Sequence, residues 1–304
     1  MLTDWYRPMT QHSPSSPRTV LPTLAVVLLF TGTPALAAQP PTIELTGVVR
    51  DFIDYGSPGG HPSMERPKIP AALKPRWIIG NLVEPILGSD RKPVFSNNGI
   101  VVRTAWKDSA GRNIAPQLPA ALDGSDVPGE LTNAFNEYLD PASFAELFND
   151  VPGVNLSAPL TLTFNLQADG TYLFDADNDP AYSGGFFPIN DQLFGNYTAT
   201  RNYHFSFELH TRFIYDAAGG QLLEFSGDDD VWVFIDDRLV IDLGGRHSEK
   251  TMFVDLNRLN LTDGQTYRLD FFLMERQTSG SHCKFSTNLP LESGDEFSIS
   301  NVFD

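Results

Sequence analysis

The sequence has a single cysteine, Cys283, in 304 residues, so no intrachain disulfide can form. Stability must come from packing, helped at most by a metal. Basic side chains are also scarce: 21 Lys and Arg stand against 38 Asp and Glu, for a net charge of −17. That field repels phosphate backbones and anionic lipid and excludes nucleic acid as a partner. No phosphate loop, dinucleotide fingerprint or serine nucleophile motif is present. Acidic residues are plentiful, but nothing marks one as a general acid and another as a nucleophile. The chain is therefore not expected to be an enzyme, and a carbohydrate-active hydrolase ranks as the third of three readings. With 41% apolar and 12% aromatic residues there is ample material for a core, which argues against disorder.

The first 37 residues differ from the rest. A polar stretch with Arg7 and Arg18 precedes an apolar run from Val20 to Phe30 and small residues at Ala35 and Ala37, which reads as a signal peptide. The run is well short of the roughly 20 residues a membrane span needs, and no later segment reaches that length. The expectation is a secreted or periplasmic protein without a transmembrane segment after cleavage, with residues 38–304 as one domain.

Alternation from Thr42 to Asp54 predicts a first strand. Residues 56–158 are rich in Pro and Gly and read as a loop-rich elaboration with brief strands rather than a second core. One helix is expected in "DPASFAELFND", with Asp140 as N-cap and Phe144, Leu147 and Phe148 on one face. From Leu160 onward dense alternation predicts at least eight strands. In "YHFSFELHTRFIY" Phe205, Phe207, Leu209 and Phe213 share a buried face, and His204, Ser206, Glu208 and His210 a wetter one. The fold class is all-β, an antiparallel two-sheet jelly-roll sandwich with one short helix.

The stretch "GDDDVWVFIDDRLVIDLGGRH", Gly227 to His247, carries the chemistry. Asp236 and Asp237 separate two apolar runs and are explained as a hairpin turn. Asp228, Asp229 and Asp230 repel one another beside a hydrophobic strand, so full solvation or a hard cation such as calcium must compensate. In an extended strand neighbouring side chains diverge. Two successive aspartates grip one ion only where the backbone turns sharply or carries a cis peptide, and Gly227 supplies freedom for that.

That motif, together with "RDF" at Arg50 to Phe52, "GGFFPI" at Gly184 to Ile189 and "ERQTSGS" at Glu275 to Ser281, resembles the fibro-slime domain family, within the protective-antigen-type (PA14) β-sandwich superfamily. The resemblance extends from about Thr42 to Leu291. It implies a secreted jelly-roll module that often binds glycans. In lectin-like members two successive aspartates joined by a cis peptide hold a calcium ion that touches sugar hydroxyls; the matching positions are Asp228 and Asp229. Such members complete the site with an Asn from a late loop, and "RQTSGSHC" has none. Backbone carbonyls around Thr278 to Ser281, or Asp230, would substitute. Gly245, Arg246 and His247, with Ser279 and Ser281, are the candidate ligand-contacting residues. The reading is a calcium-assisted binding module for glycans or extracellular matrix, active in adhesion; the alternative is a structural surface protein in which an ion only stiffens the loop.

Two weaker ion sites complete the inventory. "DADND", at Asp175, Asp177, Asn178 and Asp179, lacks the glycine and closing Glu of a calcium loop and reads as a polar turn. His204, Glu208 and His210 share a strand face that suits zinc but lack a fourth ligand. Glu275 and Arg276 are expected to be an ion pair or a sheet-edge contact, and Trp232 and Phe186 core.

Overall fold

In a computed structural model of the chain, the described residues are 39–65, 77–118, 124–136, 138, 140–182, 184–278 and 280–292. The expected signal peptide and Ser279 lie outside them. Alternating β-branched residues form β1 (Thr42–Phe52), which pairs along its whole length with β7 (Asn155–Leu166). Between them lie the short strands β2 (Ile78–Gly80), β3 (Ile100–Thr104), β4 (Trp106–Lys107), β5 (Asn113–Ile114) and β6 (Glu130–Ala134), followed by α1 (Pro141–Ala145). The dense β region continues with β8 (Tyr172–Asp175), β9 (Phe205–Ile214), β10 (Leu222–Gly227), β11 (Asp230–Ile235), β12 (Arg238–Leu243), β13 (Lys250–Asp255), β14 (Thr266–Glu275) and β15 (Cys283–Thr287).

Ten strands make one antiparallel sheet in the order β12-β11-β14-β9-β1-β7-β8-β15-β10-β13. Its continuity at β7–β8 rests on only two residue pairs, Asn165–Leu173 and Leu166–Tyr172, and there the sheet folds over. The Phe271 ring of β14 packs 5.2 Å from Phe225 of β10 and 5.8 Å from Phe285 of β15, although those strands are far apart in the sheet order. The two halves thus face each other as the layers of a sandwich, as the sequence predicts.

Strand parity divides the apolar side chains between two cores. Val231, Val233 and Ile235 of β11, with Leu269, Phe271 and Leu273 of β14, point between the layers. Trp232, Phe234, Phe272 and Met274 point the other way and pack under the elaboration with Leu82, Phe144, Leu147 and Phe148. This second core corrects the expectation that 56–158 would hold none, and it explains why "VWVFI" and "FFLM" are apolar without interruption: both faces are covered. Phe148 lies 6.4 Å from Trp232 and 5.1 Å from Phe272, centroid to centroid.

The helix is capped as expected, Asp140 accepting from the backbone N–H of Ala142 and Ser143, but ends at Ala145. Leu147 and Phe148 are still buried because the following turns keep them on the same side. The polar face of β9 is not wet. Ser206 donates to the Leu147 carbonyl, and the Glu208 carboxylate accepts from Arg50 (2.8 Å) and Lys92 (2.5 Å) beneath the elaboration. Asp236 and Asp237 take positive φ of 50° and 65°, the geometry of a two-residue hairpin turn.

Candidate functional site

β10 belongs to one layer and β11 to the other, and Asp228 and Asp229 are the two residues between them. Gly227 ends β10 where a Cβ would stand 2.4 Å from the His282 carbonyl oxygen, so only glycine admits the loop between β14 and β15 at this distance. The Asp228–Asp229 peptide is cis. Asp228 Oδ1 accepts from the His282 N–H (2.6 Å), and Asp229 Oδ2 from the Arg276 N–H (3.2 Å). The two aspartates therefore hold opposite ends of the 276–282 loop.

Asp230 is engaged differently. One oxygen accepts from the Gly245 N–H (2.5 Å) and the other from Arg276 Nε (2.6 Å), with the Arg276 guanidinium also over the Tyr138 ring at 4.6 Å. The acid that joins Asp228 and Asp229 is instead Glu275, which is not paired with Arg276 as expected. It is buried, its Oε1 accepts from the Gln277 N–H, and its Oε2 has no hydrogen-bond partner. Burial, followed by the charges of Asp229 and Asp228, pushes its carboxyl well above the usual range. Burial likewise raises Asp228 to about 6, reinforced by Glu249 and Asp177. The sequence held one signal for Glu275: it follows Leu269, Phe271 and Leu273 at even spacing and so ends the inward-facing row of β14. Glu65 had none, lying in a Pro-rich stretch, yet its N–H donates to the Arg276 carbonyl and its Oε1 accepts from the Thr278 N–H.

The expected rim faces inward. Gly245, at φ +90°, packs against Ile79. Both ring nitrogens of His247 lie within hydrogen-bond distance of carbonyl oxygens, Leu243 at 3.1 Å and Ser248 at 2.9 Å. Arg246 is buried and reaches Gln277 at 3.4 Å, and Ser281 is buried beside Glu275. These residues support the loop and the acidic group rather than forming an open surface. The "DADND" turn also serves the loop, since both Asp177 oxygens lie 2.9 Å from His282 Nδ1 and Asp175 binds Asn178 and Lys284. The zinc constellation is overturned: Glu208 is held by Arg50 and Lys92, and His210 Nδ1 by Asp270 at 2.7 Å. Among the described residues, no three His, Cys, Asp or Glu side chains form a metal-binding group by themselves. An ion at Asp228 and Asp229 would have to draw further oxygens from backbone or water.

Residues 188–302 match the PA14 domain family. The chain is 42% identical over 220 residues to protein psiD of Dictyostelium discoideum, covering 70% of this chain and 36% of that protein. It is 31% identical to protein psiC of the same organism over 262 residues, 82% of this chain and 42% of that one. The chain thus spans less than half the length of these curated relatives. A solved structure of a beta-glucosidase from Kluyveromyces marxianus in complex with glucose covers 72% of this chain and 18% of its own at 15% identity, with a TM-score of 0.22, too slight a likeness to bear on function. Sandwich, acidic crossover and relatives together place the chain in the PA14 domain superfamily, with the fibro-slime proteins.

Proposed function

We propose that the chain is an exported, non-catalytic binding module that uses calcium at Asp228 and Asp229 to engage glycans or extracellular matrix in adhesion. The observation that carries this reading is the grouping of Asp228, Asp229 and Glu275 at the crossover between layers, buried and with Glu275 Oε2 unpartnered. Like charges there raise the free energy of the ionised state, and a divalent cation offsets that cost. The carboxylate oxygens of Asp228 and Asp229 suit a hard ion, which would complete its shell with backbone or water oxygens. An ion held by Asp228 and Asp229 would supply a hard Lewis-acid centre able to take hydroxyl oxygens as ligands. Asp228 and Asp229 hold the ion and tether the loop, Glu275 sets the field behind them, and Glu65 and Asp177 fix the loop's flanks. PA14 domains are modules of carbohydrate-binding and adhesion type, which supports the ligand class. Among the described residues no helix is long and apolar enough to cross a membrane.

A second reading, an ion that only stiffens the loop, draws support from burial, since Asp228 and Asp229 are each only 7% exposed. Calorimetry and a glycan array separate the two. The first reading expects a saturable calcium site with Kd of about 10⁻⁴–10⁻³ M, and array signals lost with chelator and in Asp229→Asn. Calcium binding that raises Tm with no array signal supports the second. Glycan binding indifferent to both chelator and Asp229→Asn refutes the calcium role.

A further inference from the structure

A cavity of about 320 Å³ opens between the segment that follows β1 and the one that precedes β9. Phe52, Ile53, Phe194 and Tyr197 wall it, with Asp54 and His204 supplying polar groups. The rings of Tyr197 and His204 lie 4.5 Å apart, centroid to centroid, tilted at 59° to each other.

The cavity is held in shape from behind. Asp51 accepts from the Phe194 N–H (2.7 Å) and from the Asn202 amide (2.8 Å), and that amide also binds the Gly195 carbonyl (2.9 Å). Asp191 and Asn196 close the 191–196 loop by bonding each other in both directions, at 2.8 and 2.7 Å. Asp54 is fixed by the Gly56 N–H and the Ser57 hydroxyl, leaving each of its oxygens a further lone pair. Support of this kind preorganises a binding site.

Charge and hydrogen-bonding capacity narrow the occupant. No Lys or Arg lines the cavity, whereas Asp54 does and Glu65 stands behind His204. An anion is therefore disfavoured. His204 is 2% exposed and its Nε2 lies toward the Glu65 carboxylate, 3.6 Å away, so Asp54 is the charged acceptor that lines the cavity. A polyhydroxyl ligand would need many polar partners, but the Asn196 amide already serves Asp191, and Asn202 already serves Asp51 and Gly195. An alkylammonium needs few. Phe194 and Tyr197 of the lining are exposed, Tyr197 at 46%, and so are the adjoining residues Leu193 and, next to Asp54, Tyr55. An apolar rim around a charged recess suits a protein partner.

We propose that this cavity receives a primary ammonium on an aliphatic stem, the lysine side chain of a partner protein. The ammonium donates to the Asp54 carboxylate, and the stem lies against Phe52, Phe194 and Tyr197. None of the acids assigned to the calcium site lines this cavity.

The test is calorimetry on the full chain in chelator, with N-acetyl-lysine amide as probe and N-acetyl-norleucine amide and D-glucosamine as comparators. The lysine probe should bind at least tenfold more tightly than either. Asp54→Asn should weaken it tenfold or more and Tyr197→Ala several-fold. Tyr197→Ala removes an exposed ring and keeps the fold, which a thermal melt verifies, so the test stands even if Asp54→Asn unfolds its loop. Equal binding of the norleucine probe removes the ammonium's role, and tighter binding of glucosamine assigns the cavity to amino sugars. No heat from the lysine probe up to about 10 mM, or binding unchanged in Tyr197→Ala, also overturns the proposal. Because chelator is present throughout, none of these outcomes bears on the calcium reading.

Discussion

Replacing Asp230 by Asn isolates what the third aspartate does. In the native chain Arg276 and Asp230 form a pair whose side chains are 2% and 0% exposed, with one guanidinium nitrogen 2.6 Å and another 2.5 Å from Asp230 Oδ2. An Asn side chain can still accept from the Gly245 N–H, but it removes the Asp230 charge from beside a buried guanidinium. Breaking one member of a buried pair costs about 3–5 kcal/mol, equivalent to a fall in Tm of roughly 10 °C for a domain of this size. Urea unfolding of the native chain and of Asp230→Asn, each with and without calcium, provides the assay. The expected result is a large loss of stability in both conditions, with the calcium increment retained; Asp229→Asn should instead abolish the increment. A cost below about 1 kcal/mol would show that the pair is solvated and its geometry misread. Loss of the calcium increment in Asp230→Asn, with the fold intact, would return that residue to the ion.

Other measurements probe the scaffold. Burial depresses the buried imidazole of His61 from 6.5 to about 4, against the raising effect of its bond to the Ser143 carbonyl. The unfolded chain then binds more protons than the folded one between those values, so stability is present above pH 6.5 and falls by about 3 kcal/mol as pH drops to 4. His61→Gln should flatten that part of the Tm–pH curve, and an unchanged slope would refute the assignment. Phe271→Ala opens a void where both layers meet and should cost about 3–5 kcal/mol by chemical denaturation; a cost near 1 would mean that the layers close over it. Gly227→Ala places a methyl 2.4 Å from the His282 carbonyl. It should destabilise by about 1–3 kcal/mol and weaken calcium binding in calorimetry although no carboxylate is removed, whereas native affinity would mean that the loop is not part of the site.

The residues of the acidic crossover were readable in unequal measure. Asp228 and Asp229 stood out because adjacent carboxylates beside an apolar strand require compensation, and the structure brings both to one loop. Asp230 looked equivalent in sequence. It is not, because β11 begins at that residue and its partner Arg276 comes from the end of β14, a contact made only by sheet pairing. Gly245, Arg246, His247 and Ser281 suggested a rim by their polarity and position, yet the loops over them turn them inward. Glu275 was masked by its neighbour Arg276, since adjacent opposite charges suggest a pair although consecutive strand residues face opposite ways.

The sequence by itself determined the all-β class, the antiparallel alternation of the strands, the Asp236–Asp237 turn and the cap at Asp140, because each depends on side-chain period or turn chemistry within a few residues. Tertiary structure alone decided that the 56–158 region builds a second core over Trp232 and Phe272, that the polar face of β9 is closed by Arg50 and Lys92, and which acids share a site. Those outcomes depend on contacts between segments a hundred or more residues apart, and local pattern fixes which face a side chain takes but not what comes to lie against it.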